Sequence, residues 1–201
     1  MKIAELLQSL ADKQVQYVLV GGLAVGSRSE PRFTRDVDLA VDVGSDSDAE
    51  RLVHQLQKRG YSLVTMFEHK PSGRIGTVRL HSPAAPGVLV DLLFAASGVE
   101  TEAVASASAA TVMTHFRLPV AQRSHLIAMK VLAAHPDRRP QDFTDLRALL
   151  AEASPAELAS VGKLLRLIAQ RGFSGGSNLS RKWRSVRARF GPVVRRPAPM
   201  R

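Results

Sequence analysis

The spacing of apolar residues changes character along this chain. Between residues 2 and 13 they recur every three or four positions, with Ile3, Leu6, Leu7 and Leu10 on one face, which predicts an amphipathic helix. Short, dense apolar runs follow at 17–20, 37–43, 61–67, 75–81 and 88–94, and these predict strands. Gly21-Gly22 ends the first run and opens a short helix to about Arg28. Ser29-Glu30-Pro31-Arg32 reads as a loop, because Pro31 disfavours helix before it. Ser45 or Asp46 is placed to cap a helix that runs to Lys58 and stops at Gly60. Lys70-Pro71-Ser72-Gly73 reads as a turn, residues 82–87 as a loop, and 111–120 as a short hairpin. From Ala121 onward the period is helical, over 121–134, 142–152, 156–171 and about 178–190. Strands and helices thus alternate first, and helices dominate later. The expectation is an α+β fold, a mixed sheet flanked by helices, with a C-terminal helical half. Its expected parts are an α/β core over 1–118, a helical region over 119–190 that completes the site, and a flexible basic tail over 191–201 with three prolines.

With 201 residues, 45% of them hydrophobic, the chain can bury a sizeable core. It has no cysteine, which excludes a disulfide framework, a thiolate metal site and a thiol nucleophile. The six histidines lack the paired spacing of a zinc motif, and His115, His125 and His135 read as structural or exposed. No apolar run approaches the ~20 residues that span a membrane. The opening MKIAELLQSLADK carries acids among its apolar positions and reads as a helix, not a signal peptide, so the expected location is cytoplasmic. The net charge is +10, but residues 181–201 hold eight Lys or Arg and no acid, leaving +2 on the remaining 180. That segment, with Trp183 and Phe190 interleaved, suits contact with RNA phosphates and bases; the plainer alternative is a solvated tail.

The chemistry-bearing positions cluster in the first strands. Asp36 and Asp38 stand two apart at the start of the second strand, with thirteen residues between Gly22 and Asp36. A period of two puts both on one side of the sheet. Two carboxylates held so close repel unless a cation joins them, and hard cations such as Mg²⁺ take oxygen ligands shared with substrate phosphates. The glycines let a phosphate approach the backbone. Asp91 sits inside the apolar strand VLVDLLF, where an acid is costly without a partner. It reads as a third metal ligand, as the acceptor of a proton from an attacking hydroxyl, or as an acid satisfied by Arg79. Lys130, in a mostly apolar helix, either snorkels to solvent or reaches a triphosphate. Asp142 and Asp145 lie one turn apart; Asp142 either holds Lys130 or Arg139, or serves the helix dipole. Arg32 and Thr34, just before the carboxylates, are candidates for phosphate contact and site orientation, as are Ser27 and Arg28 after the glycines.

Gly21-Gly22, Asp36-x-Asp38 and a strand-borne Asp91 together resemble the nucleotidyltransferase superfamily with the polymerase-beta-like palm fold. Over residues 3–152, the segments GGLAVGSRSEPRFTRDVDLAVD, LVDLLF, LPVAQRSHLIAMKVLAA and RRPQDFTDL are similar to the AbiEii/MenT-type nucleotidyltransferases, which include toxins of type IV toxin–antitoxin systems. The resemblance implies transfer of a nucleoside monophosphate from a nucleoside triphosphate, with Mg²⁺ or Mn²⁺ held by Asp36, Asp38 and Asp91. It brings Lys130 and Asp142 into the active site and implies a cognate antitoxin. It implies RNA, at the 3′ end of tRNA, as acceptor. Small-molecule and protein acceptors, and a non-catalytic nucleotide-binding module, are the competing expectations. Where the family's first motif often reads Gly-Ser, this chain has Gly21-Gly22, and its helical half is shorter than in larger toxin members.

Overall fold

The computed structural model describes residues 15–30, 34, 36–83, 87–113 and 116–191. The helix expected at 2–13, Arg32, His115 and most of the expected tail lie outside them. Strand β1 (Gln16–Val20) leads straight into helix α1 (Gly21–Arg28), and β2 (Val37–Asp42) returns antiparallel beside β1. Helix α2 (Asp46–Lys58) follows, with the Ser45 hydroxyl accepting from the Asp48 backbone N–H as its cap and Gly60 turning the chain at φ +90°. β3 (Ser62–His69), β4 (Arg74–His81) and β5 (Leu89–Leu93) form an antiparallel meander, and β5 lies parallel to β2.

After α3 (Glu100–Ala105), the hairpin of β6 (Ser108–Val112) and β7 (Phe116–Val120) closes the other edge, giving the order β3-β4-β5-β2-β1-β7-β6. Helices α4 (Arg123–Ala133), α5 (Pro140–Ala151), α6 (Pro155–Gln170) and α7 (Leu179–Phe190) complete the fold. Among the described residues it is a seven-stranded mixed sheet with seven helices, the α+β class that the sequence implies. None of these helices is long and apolar enough to cross a membrane.

Outside the row of polar residues described below, the central strands are apolar and buried. Leu39, Ala40, Val41 and Leu92 have no solvent exposure, and one buried cluster continues from them into Leu126, Leu146, Val161 and Trp183 of the helices. The last helix joins this cluster through Leu179, Trp183 and Val186, spaced four and three apart as one helical stripe. Trp183 is therefore a core residue, which corrects its reading as a surface for stacking bases.

Two arginines tie separate elements together. Arg28 donates to the carbonyls of Ala121, Val120 and Ser108 and to the Ser108 hydroxyl, so it staples α1 to the β6–β7 hairpin and does not face the cleft described below. Arg171, at the end of α6, forks onto Glu102 of α3 and also donates to the Gly98 carbonyl.

Candidate active site

The site starts from sheet register. Val20 pairs with Asp38, Asp38 with Asp91, and Asp91 with Arg79, so one row crosses β1, β2, β5 and β4. Residues paired across strands share a face, with neighbouring strands about 4.8 Å apart. Asp38, Asp91 and Arg79 consequently project into the same cleft, of about 550 Å³, together with Asp36, Thr34 and the Gly21-Gly22 turn. The far wall is α4, which contributes Lys130. Buried Glu100 holds the loop at the cleft's edge: its carboxylate accepts from the backbone N–H groups of Ala96, Ser97 and Gly98 and from the Ser97 hydroxyl.

Gly21 is dictated by Asp38. Its φ is +63°, and a Cβ there would lie 1.8 Å from the Asp38 Oδ2. The next residue, Gly22, donates its backbone N–H to the Asp38 carboxylate. Gly21→Ala is therefore expected to destabilise the fold by about 1–3 kcal/mol and to push Asp38 out of place. Urea unfolding and nucleotidyl-transfer assays on one preparation check this; an alanine variant with full stability and activity would contradict the geometry.

Asp38 is the strained acid of the site. Burial, then the charge of Asp91, push its carboxyl up to about 6, against weaker opposing pulls from Lys130 and the Gly22 N–H. Asp91 is buried and already partnered: Arg79 Nε donates to Oδ1 at 2.7 Å and Nη2 to Oδ2 at 2.6 Å, a two-pronged pair. The Arg79 guanidinium is held above its ordinary value mainly by these bonds, and it also feels Asp36 and Asp38.

On the opposite wall, Lys130 Nζ stands 2.7 Å from Asp142 Oδ1 and 2.8 Å from Asp145 Oδ2. Arg139 Nε meets the other Asp142 oxygen at 2.7 Å. Asp142 thus meets both Lys130 and Arg139, and it also lies in the first turn of α5, where an acid suits the helix dipole. Asp145 received no role from the sequence. The signal for it was a second acid one turn along from Asp142, on the face that meets the lone lysine of α4.

The structure brings Gly21, Gly22, Thr34, Asp36, Asp38, Asp91 and Lys130 together, with Asp142 directly behind Lys130. It does not bring in Ser27, whose hydroxyl donates to the Ala24 carbonyl one turn back. His125 is buried, and burial lowers its pKa.

Asp36 and Asp38 offer the hard carboxylate oxygens that Mg²⁺ or Mn²⁺ prefers, and the raised Asp38 carboxyl marks a position where a cation relieves repulsion. Among the described residues no three His, Cys, Asp or Glu side chains stand together as a finished metal cluster. Both oxygens of Asp91, the nearby strand-borne acid, are turned to Arg79.

No curated protein matches the chain. Among solved structures, it is similar to the nucleotidyltransferase toxin MenT4 from Mycobacterium tuberculosis H37Rv, at 13% identity over 94% of this chain and 93% of that one, with a TM-score of 0.43. It is also similar to ANT(2")-Ia in complex with adenylyl-2"-tobramycin, at 14% identity over 94% and 97% of the two chains and a TM-score of 0.48. A third likeness is to an antigenic nucleotidyltransferase-like protein from Paracoccidioides brasiliensis, at 20% identity over 89% and 88% and a TM-score of 0.49. Residues 5–196 match the family model described as nucleotidyl transferase AbiEii toxin, type IV TA system, and the chain belongs to that family of nucleotidyltransferases.

Proposed function

We propose that this nucleotidyltransferase moves a nucleoside monophosphate from a nucleoside triphosphate to a hydroxyl of RNA, at the 3′ end of tRNA, with the help of Mg²⁺ or Mn²⁺. The observation that carries the reading is the convergence of Asp36, Asp38, Asp91 and Lys130, from three separate stretches of chain, on one cleft with the Gly21-Gly22 turn. A divalent cation bound by Asp36 and Asp38 would act as a Lewis acid on the triphosphate and offset the charge that builds up in transfer.

The protein's own residues account for the rest. Gly21-Gly22 begins helix α1, whose N-terminal N–H groups favour an anion. Lys130 has three N–H donors; two meet Asp142 and Asp145, and the third is assigned to the departing pyrophosphate. The two aspartates fix that ammonium in an apolar helix, so it does not have to be ordered during the reaction. Asp91 is the further carboxylate, for the metal or for the proton of the attacking hydroxyl.

RNA as the acceptor is supported by α7. Its buried face is Leu179, Trp183 and Val186, and its outer face exposes Arg181, Arg184, Arg187 and Arg189. The Arg189 guanidinium lies over the rings of Phe143 and Phe190, which fixes one cation of this face at the α5–α7 groove. A cytoplasmic setting and a cognate antitoxin belong to the same reading, the latter supported by the type IV toxin–antitoxin family.

Because α7 is part of the core, truncation at residue 181 would unfold the protein, and the acceptor is tested by substitution. Gln at Arg181, Arg184, Arg187 and Arg189 is expected to weaken RNA binding and flatten its salt dependence by up to roughly 0.7 in slope for each phosphate that is no longer neutralised. The melting temperature should hold. Unchanged RNA transfer and salt slope would remove α7 from the acceptor site, and transfer to a small hydroxylated molecule or a protein hydroxyl alone would move the acceptor.

A further inference from the structure

We infer that Arg79 is the exchangeable partner of Asp91: it holds this carboxylate while no divalent cation is bound and gives it up when one is, so that Asp91 joins Asp36 and Asp38. The inference rests on the reading of the cleft as a metal-assisted site and assigns a positioning role to a residue outside the motifs.

Three observations carry it. First, Asp38, Asp91 and Arg79 are consecutive members of one cross-strand row, so Asp91 has Arg79 on one side and Asp38 on the other, each one strand away. A carboxylate there needs only to rotate about its own side-chain bonds to change partners. Second, the fork of Arg79 occupies both Asp91 oxygens at 2.6–2.7 Å, and these are the atoms a hard cation would need. Each oxygen keeps one further lone pair, but a cation bound there withdraws charge from the fork, so the two claims on Asp91 compete. Third, the pair is lopsided: the Asp91 side chain is 9% exposed and that of Arg79 38%. Asp91 is the less exposed of the two, so losing the partner costs it more than it costs Arg79. The site is therefore built so that the acid stays and the cation leaves. Three carboxylates against one guanidinium also leave a formal charge of −2 in the row and its neighbour Asp36, which one divalent cation balances.

A simple structural pair makes the opposite prediction. If Arg79 only satisfied a buried acid, weakening it would leave Asp91 poorly placed and metal binding unchanged or worse. If it competes with the metal, weakening it tightens the metal. Lysine separates competition from bare electrostatics, because it keeps the positive charge and loses the two-pronged fork.

The test is Mn²⁺ binding to the full chain without nucleotide at pH 8, followed through the electron paramagnetic resonance signal of free Mn²⁺. Wild type, Arg79→Lys, Arg79→Gln, Asp91→Asn and the double variant Arg79→Lys/Asp91→Asn are compared, each with a melting curve to show that it is folded. Arg79→Lys and Arg79→Gln are expected to bind Mn²⁺ about tenfold tighter than wild type, the scale of one charge-assisted hydrogen bond. The gain should vanish in the double variant, since the competition acts through Asp91. Wild-type binding as tight as that of Arg79→Lys, or tighter, would overturn the exchange and leave the nucleotidyl-transfer reading standing. Absence of Mn²⁺ binding by every form would overturn the metal-assisted reading together with it.

Discussion

Asp38→Asn is expected to lower nucleotidyl transfer by on the order of 10³-fold, the rate equivalent of the several kcal/mol that a metal supplies in such a transition state, while leaving the fold intact. Asparagine keeps the shape that Gly21 is fitted to, with Asp38 Oδ2 filling the space a Cβ would take. It removes the charge. The same substitution carries a second, opposite signature. Burial and Asp91 raise the Asp38 carboxyl from 3.8 to about 6. The folded state therefore keeps this proton at pH values where the unfolded chain has already lost it. Between 3.8 and about 6 the unfolded state binds fewer protons, so stability falls as pH rises across that window and stays lower above it. The shift sets the cost at up to about 3 kcal/mol. In the presence of a chelator, the wild-type protein should melt lower at pH 7.5 than a pH 4.5 measurement corrected for its other acids would give, and Asp38→Asn should lack that part of the loss. At limiting Mg²⁺, transfer by wild type should fall as pH drops through about 6, because a proton on Asp38 competes with the cation. An Asp38→Asn variant that is both less stable and still active would contradict both halves of this expectation.

Lys130→Met is expected to cost about 3 kcal/mol of stability as well as activity, the low end for breaking a buried ion pair from one side. Lys130 is 11% exposed, and its partners Asp142 and Asp145 are 3% and 1% exposed. Removing the ammonium leaves two buried carboxylates one turn apart on α5. Arg139 still meets Asp142, which limits the loss. Arginine at the same place should recover part of the stability but not the transfer rate, because its planar fork does not fit between two acids sized for an ammonium. Equilibrium urea unfolding and single-turnover transfer on both variants separate the two effects. A methionine variant as stable and active as wild type would mean that Lys130 merely reaches solvent along the helix.

The sequence was most readable where local pattern and chemistry coincide. Asp36, Asp38 and Asp91 stood out because each interrupts or opens an apolar strand, and register then placed Asp38 and Asp91 side by side. Lys130 and Asp142 stood out as a lone cation in an apolar helix and an acid at the next helix start. What could not be read was choice among partners distant along the chain. Arg28 looks like a phosphate ligand from its neighbours, yet its carbonyl partners lie 80 to 93 residues away in a hairpin whose position no local pattern reveals. Ser27 is similar: only the helix geometry shows its hydroxyl committed to Ala24. The competition for Asp91 between Arg79 and a metal could be named but not ranked, since it depends on how β4 registers against β5. Trp183 misleads for a different reason. Its spacing from Leu179 and Val186 already gave a helical stripe, but the density of arginines around it suggested a surface. Helix α3 has six residues, too few for a period to register.

On the proposed function, this cleft transfers nucleoside monophosphates to RNA using Asp38. The most direct test is incubation of the purified protein with Mg²⁺, total cellular RNA and each α-phosphate-labelled nucleoside triphosphate in turn, resolved on a denaturing gel beside the Asp38→Asn variant. Label in tRNA-sized bands from wild type alone is the predicted result, and the nucleotide that gives it names the donor. Equal labelling by Asp38→Asn, or no labelled RNA from wild type with any of the nucleotides, would contradict it.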